Sequence, residues 1–170
     1  MHSVKKDLQF IKCLGKEMIN KEISIFWPKD IEKKIDQIIR KNKLKDYVHI
    51  HPVSRWMFKC WEDDRMAKVI DFLIVKKKYR VVITGSNLKH ERERIENILK
   101  LCESNPINLT GQLSLKELAY LSSKSKFFFG IDSAPMHIAA ATNTPVVAIL
   151  GASEAKKWGV WANGGNNEYL

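Results

Sequence analysis

FFFGIDSAPMHIAAATNTPVVAILG, residues 127–151, decides the fold. An apolar run, Phe127-Phe128-Phe129, ends at Gly130. Asp132-Ser133-Ala134-Pro135 follows, then a small-residue stretch through Met136 to Ala141, then a second apolar run from Val146 to Leu150. Both runs are short, aromatic or β-branched, and bounded by Gly, Pro and Asn, so they read as buried parallel strands. The segment between them is close to the minimum for a right-handed crossover through a helix. Asp132 or Ser133 is placed to cap that helix, and Pro135 suits its first turn, where a missing N–H costs nothing.

A helix that starts at the carboxyl end of a parallel strand points its first N–H groups at the place where open α/β sheets bind ligands, and it favours an anion there. His137 falls in the first turn beside those donors, and Ala139, Ala140 and Ala141 let the helix lie close to the sheet. The same residues would serve equally as a plain helix cap with a surface histidine beside it.

The rest of the chain extends this pattern. Tyr47 to His51 reads as a strand running into His51-Pro52-Val53-Ser54-Arg55-Trp56-Met57-Phe58-Lys59-Cys60-Trp61. Ser54, Arg55 and Lys59, just beyond a strand's carboxyl end, are suitable phosphate ligands, while Trp56 and Trp61 read as core anchors. Glu62-Asp63-Asp64 open a helix with Met66, Val69, Ile70 and Leu73 facing inward. A strand over Arg80 to Thr84 ends at Gly85-Ser86, before a helix from about His90 with Ile95, Ile98, Leu99 and Cys102 on its buried face. Glu91 near that start either favours the helix dipole or accepts hydrogen bonds from ribose hydroxyls, as an acidic residue does in dinucleotide folds. Asn108 to Gly111 is a short strand or turn, and Ser114-Leu115-Lys116-Glu117 is a capping box opening a helix that buries Leu115, Leu118 and Ala119. Strands alternating with helices at this spacing give a doubly wound α/β sheet covered on both faces.

Residues 1 to 46 carry twelve Lys or Arg against seven Asp or Glu. Val4, Leu8 and Ile11 suggest a short amphipathic helix ending near Gly15. Pro28 and Asp30 open another with Ile31, Ile35, Ile38 and Ile39 on one face, and Ile23, Ile25 and Trp27 alternate like a strand. This part reads as a linker with lead-in helices, and 47–170 as the domain proper, fraying at Asn163 to Asn167.

Among 170 residues, three cysteines without CxxC spacing argue against both a disulfide framework and a zinc site. No apolar run is long enough to span a bilayer and no secretory leader opens the chain, so the expected location is cytoplasmic. The net charge of +10 suits polyanionic partners: nucleic acid, an anionic membrane face or phosphorylated glycolipid. The aromatics form no RNP-like pattern or stacking platform, which argues against RNA.

Taken together, HPVSRWMFKCW, VVITGS with HE following, LTGQLSLKEL and FFFGIDSAPMHIAAATNTPVVAILG resemble the C-terminal half of the lipopolysaccharide core heptosyltransferases, glycosyltransferase family 9, over about Met1 to Trp161. The resemblance implies a Rossmann-like domain, the C-terminal half of a GT-B enzyme, that binds ADP-L-glycero-D-manno-heptose without a metal or other cofactor. Carried over residue by residue, Ser54 and Lys59 match diphosphate contacts, Glu91 the ribose contact, and Leu113 lies near the adenine. Asp132 matches the aspartate facing the sugar, and Ser133, Ala134, Pro135 and His137 match the helix start that meets the phosphates. Lys59, Asp132 and His137 are thereby the catalytic candidates. Ser-Ala-Pro stands where many relatives have Thr-Gly-Leu, so side-chain contacts there differ. In the family, the acceptor-binding domain and the carboxylate acting as general base precede the part represented here, which implies a partial enzyme. The implied partners are the donor, the lipopolysaccharide core acceptor and, peripherally, the inner membrane. A silent nucleotide-binding fragment and an RNA-binding protein are the alternatives.

Overall fold

The computed structural model describes residues 1–16, 22–151 and 154–161. The expected frayed stretch, Asn163 to Asn167, lies outside them. Five strands, β1 (Tyr47–His51), β2 (Arg80–Ile83), β3 (Ile107–Asn108), β4 (Phe128–Ile131) and β5 (Val146–Ile149), form one sheet in the order β3-β2-β1-β4-β5. Every pairing is parallel, with His49 opposite Val82 on one side and Phe128 on the other.

Side chains alternate across the sheet and feed cores on both of its faces, with a smaller cluster of Phe128, Met136 and Ala139 between β4 and the helix that follows it. Val48, Ile50, Val81, Ile83 and Phe129 pack under α3 (Asp63–Asp71) and α4 (Lys89–Leu101). Tyr47, Val82 and Leu109 pack on the opposite face with α2 (Lys29–Lys41) and α5 (Leu115–Ser123). Each such side chain fully withdrawn from water stabilises the fold by roughly 1.5–3 kcal/mol. The lead-in helix α2 is packed on the domain: Ile35 is fully buried, Ile31, Ile38 and Ile39 flank it, and Lys34 pairs with Glu117 at 2.6 Å. Ser114 and Glu117 form the expected capping box.

Under α5 the sheet face turns polar. His49 meets Ser122 Oγ through Nδ1 at 2.8 Å and Thr84 Oγ1 through Nε2 at 2.7 Å, and His51 Nδ1 meets the same Thr84 oxygen at 2.9 Å. All four residues are buried, so the chain of partners is what makes their burial tolerable. Helix α1 (Ser3–Cys13) buries none of its residues, but His2 at its cap accepts from Val4 N–H and pairs with Gly159 O at 2.9 Å, tying it to α7 (Ala155–Trp158). No described helix is long and apolar enough to cross a membrane.

Several sequence expectations give way here. Ile23, Ile25 and Trp27 do alternate in burial with their neighbours, yet residues 22–28 pair with no strand. Gly130 lies inside β4 rather than at its end: a Cβ there would stand 2.7 Å from His51 O, so the close approach of β1 and β4 requires glycine. β5 is the sheet's edge and Val147 is exposed, because only β4 covers it laterally. Leu115 is exposed at the first position of α5, outside the buried stripe that begins at Glu117. Trp56 is exposed on the wall of the cleft, because the loop after β1 carries it across the carboxyl end of the sheet, whereas Trp61 is half-buried against the α3–α4 core as expected. The helix over Met66 to Leu73 loosens into a π-turn at Phe72–Lys76.

Candidate functional site

The strand order reverses direction between β1 and β4, and the loops leaving their carboxyl ends diverge there. A cleft of about 660 Å³ opens at that point, a size suited to a small organic ligand. All ten residues singled out from the sequence line it: Ser54, Arg55 and Lys59 after β1, Glu91 from α4, Leu113 before α5, and Asp132, Ser133, Ala134, Pro135 and His137 after β4.

At its centre Lys59, closing the short 3-10 turn Met57–Lys59, reaches across to Asp132. The ammonium and carboxylate lie 2.6 Å apart, with Asp132 buried and Lys59 about a quarter exposed. Helix α6 (Ala134–Ala141) begins beside them. Ser133, at the N-cap, does not cap it with its side chain, contrary to one of the two sequence readings: its Oγ turns back and donates to Ile131 O at 3.1 Å. The first turn of α6 lies on the cleft wall, and a helix N-terminus favours an anion there. His137, one turn in, has its pKa held below the usual histidine value by burial. Asp132 opposes that shift, whereas His2 and Lys59 add to it.

The other end of the cleft is built on Glu91. Its carboxylate is buried and accepts from Ser86 N–H at 2.9 Å, which fixes the loop after β2. Leu113, Leu115 and Leu118 supply apolar wall. Ser54 Oγ accepts from Trp56 N–H at 3.2 Å, a local turn that shapes the loop. Arg55 is exposed, with its guanidinium 5.8 Å from the Trp56 ring.

Sequence reasoning missed several contributors, Trp56 and His51 among them. Trp56 lines the cleft with its ring exposed; its position between Arg55 and Lys59 was the available signal. His51 also lines it, at the last residue of β1, with its Nδ1 turned inward to Thr84. Burial lowers its pKa to about 4, against the opposing charge of Glu91. Among the described residues no group of three His, Cys, Asp or Glu side chains is placed to hold a metal ion, and all three cysteines are free thiols.

A parallel sheet of this order, with helices on both faces and a polar cleft at the reversal, defines a Rossmann-like ligand-binding domain. Residues 10–167 match the model of glycosyltransferase family 9 (heptosyltransferase), and the chain belongs to that family. It is 35% identical over 162 residues to lipopolysaccharide heptosyltransferase 3 of Escherichia coli K12, covering 94% of this chain and 47% of that protein. It is 31% identical over 145 residues to the lipopolysaccharide core heptosyltransferase OpsX of Haemophilus influenzae, covering 84% and 40%. The fold matches the glycosyl transferase family 9 structure from Veillonella parvula with a TM-score of 0.84 at 23% identity, over 93% of this chain and 46% of that one. It matches Escherichia coli ADP-heptose heptosyltransferase II at 0.69 and 23% identity, over 82% and 43%. The architecture is thus that of one half of a GT-B glycosyltransferase, and the chain spans about half the length of the relatives it matches.

Proposed function

We propose that this domain binds ADP-L-glycero-D-manno-heptose and presents it for transfer to the inner core of lipopolysaccharide, as the donor-binding part of an inverting heptosyltransferase. The observation that carries the reading is the Lys59–Asp132 pair beside the start of α6, with Glu91 at the far end of the same cleft. A sugar nucleotide has the matching sequence of groups: ribose hydroxyls for Glu91, a diphosphate for a cation and a helix N-terminus, and a polyol for a carboxylate. Adenine lies against Leu113 in this reading, Ser54 and Arg55 support the diphosphate, and Ser133, Ala134 and Pro135 shape the turn that receives it. An Escherichia coli relative of the same fold, WaaC, has been solved with ADP.

Lys59 and Asp132 neutralise each other while the cleft is empty of donor. An arriving diphosphate draws Lys59 toward itself and frees Asp132 to accept from sugar hydroxyls, so the two subsites are coupled. In the transfer step an acceptor hydroxyl attacks the anomeric carbon from the face opposite the diphosphate, and the bond from that carbon to the phosphate oxygen breaks. ADP leaves with the electron pair, and the acceptor proton passes to a carboxylate outside this chain. Lys59, the α6 N-terminus and an N–H of His137 stabilise the charge that grows on the diphosphate. A cytoplasmic location and peripheral contact with the inner membrane, where the acceptor glycolipid is anchored, complete the proposal.

Calorimetric titration with ADP and then ADP-heptose tests it. Saturable binding, tighter for the sugar nucleotide, is the expected result. A folded sample that binds neither overturns the reading and leaves a silent fragment.

A further inference from the structure

The polar chain beneath α5 ends at the cleft wall. It runs from Ser122 through His49 and Thr84 to His51, with successive contacts of 2.8, 2.7 and 2.9 Å. Of these four side chains His51 alone lines the cleft, and it does so while 6% exposed. Its Nδ1 faces Thr84, and its Nε2 has no protein partner among the described residues. A buried ring nitrogen left open toward a cleft calls for a hydrogen-bonding group on the ligand.

Proton counting decides which kind of group. Burial keeps both imidazoles neutral at ordinary pH, so each ring carries one N–H. Thr84 Oγ1 lies between two ring nitrogens and has a single proton, so it donates to one ring and accepts from the other. Two arrangements satisfy this. In the first, His51 donates to Thr84 through Nδ1, and a bare Nε2 lone pair faces the cleft. In the second every bond runs the other way: Ser122 Oγ donates to His49 Nδ1, His49 Nε2 to Thr84 Oγ1, and Thr84 Oγ1 to His51 Nδ1, which places the proton on His51 Nε2. The charge of Glu91 acts on His51, whereas Asp132 and Lys59 act on His137. A carboxylate attracts an N–H and repels a lone pair, and hydrogen bonds that all point one way reinforce each other. The second arrangement is therefore the stable one.

We propose that His51 is a further ligand-binding residue of the cleft: its Nε2–H donates to a ribose hydroxyl whose own proton goes to Glu91, so that the two residues together select ribose over deoxyribose. A hydroxyl oxygen accepts one hydrogen bond while donating another, which suits a site with an N–H on one side and a carboxylate on the other. An ionised phosphate oxygen accepts only, and Glu91 would repel it. The inference rests on the donor reading, because it takes the Glu91 end of the cleft to receive a nucleoside. A ligand without that hydroxyl leaves two buried polar groups unpaired, which costs more than the loss of an ordinary contact.

Titration of the full chain with ADP, 2′-deoxy-ADP and 3′-deoxy-ADP tests this, together with NMR of the imidazole nitrogens at neutral pH. The parent should bind at least one deoxy analogue about tenfold or more weakly than ADP. His51→Asn, which can still meet Thr84 but does not extend to the Nε2 position, should weaken ADP about fivefold or more and leave that analogue within about twofold of its affinity for the parent. In the parent spectrum His51 should carry its proton on Nε2, and ADP should shift that nitrogen while inorganic pyrophosphate does not. Equal weakening of ADP and both analogues in His51→Asn, a proton on Nδ1, or the same shift with pyrophosphate would each overturn the inference. The spectrum is read on the parent, so it decides even where His51→Asn does not fold. A folded parent that binds no ADP overturns the donor reading as well, whereas ADP bound without preference over either deoxy analogue overturns this inference alone.

Discussion

At the scale of single residues, the Lys59–Asp132 contact of 2.6 Å makes a prediction that separates two roles. Lys59→Ala removes the cation from the diphosphate and should weaken ADP and ADP-heptose alike, by about 10-fold or more, the usual loss for a charge-assisted hydrogen bond. Asp132→Asn should weaken ADP-heptose only, and ADP should bind as well or better once the neighbouring carboxylate is gone. Titration of both ligands against both variants checks this, and parallel losses for Asp132→Asn would remove it from the sugar subsite. The buried histidines add a pH dependence. Burial lowers the pKa of His49 to about 3, with the charge of His51 acting in the same direction, and that of His51 to about 4 against the pull of Glu91. In the unfolded chain both take up a proton near pH 6.5, so the unfolded state binds more protons below that pH. Stability is therefore complete above about pH 6.5 and falls as the pH drops toward 4, by up to about 3 kcal/mol for each group. Urea midpoints at pH 7.5, 6, 5 and 4.5 should fall accordingly, and His49→Gln should flatten the slope.

At the scale of elements, β4 and α6 were the most legible part of the sequence, because local rules identify both a strand and a helix there. Apolar strand residues and Pro135 in the first turn match the observed segment, while the Ser133 side chain makes no cap. Proximity in space was not legible. That Gly130 sits within β4, with space for no side chain between His51 O and the Phe128 ring, depends on how closely β1 approaches. Gly130→Ala should destabilise the domain by about 1–3 kcal/mol, since backbone must shift to admit the methyl group. Gly85→Ala meets chiefly the tip of the Ile95 side chain, which can turn aside, and should cost less. Chemical denaturation of the two variants ranks them. Most candidate site residues were legible because they follow a strand or open a helix, Leu113 came from the family resemblance alone, and their meeting in one cleft follows from parallel pairing. Trp56 was misread because tryptophan's general preference for burial says nothing about a loop that crosses the carboxyl end of the sheet beside a cleft.

At the scale of the whole molecule, two cores on opposite faces of a thin sheet must act as one folding unit. The connection runs through the alternation in β1 and β2, which sends Val48 and Ile83 to one face and Tyr47 and Val82 to the other. Helix α2 is the part whose place the sequence left open. Its isoleucine stripe predicted an amphipathic helix, yet periodicity alone does not say against which surface the stripe lies, and the Lys34–Glu117 pair and Ile35 place it on α5. A helix attached only as a linker would unfold separately and at little cost. A helix that closes the second core would unfold with everything else. Ile35→Ala should therefore lower global stability by about 2–5 kcal/mol, as expected for a fully buried aliphatic side chain, with circular dichroism and tryptophan fluorescence reporting one common transition. The fluorescence arm is informative because Trp27 lies against Tyr120 on the α5 side while Trp61 packs against the α3–α4 core. Two separated transitions, with Trp27 changing first, would show that α2 is an appendage and that the core beneath α5 is complete without it.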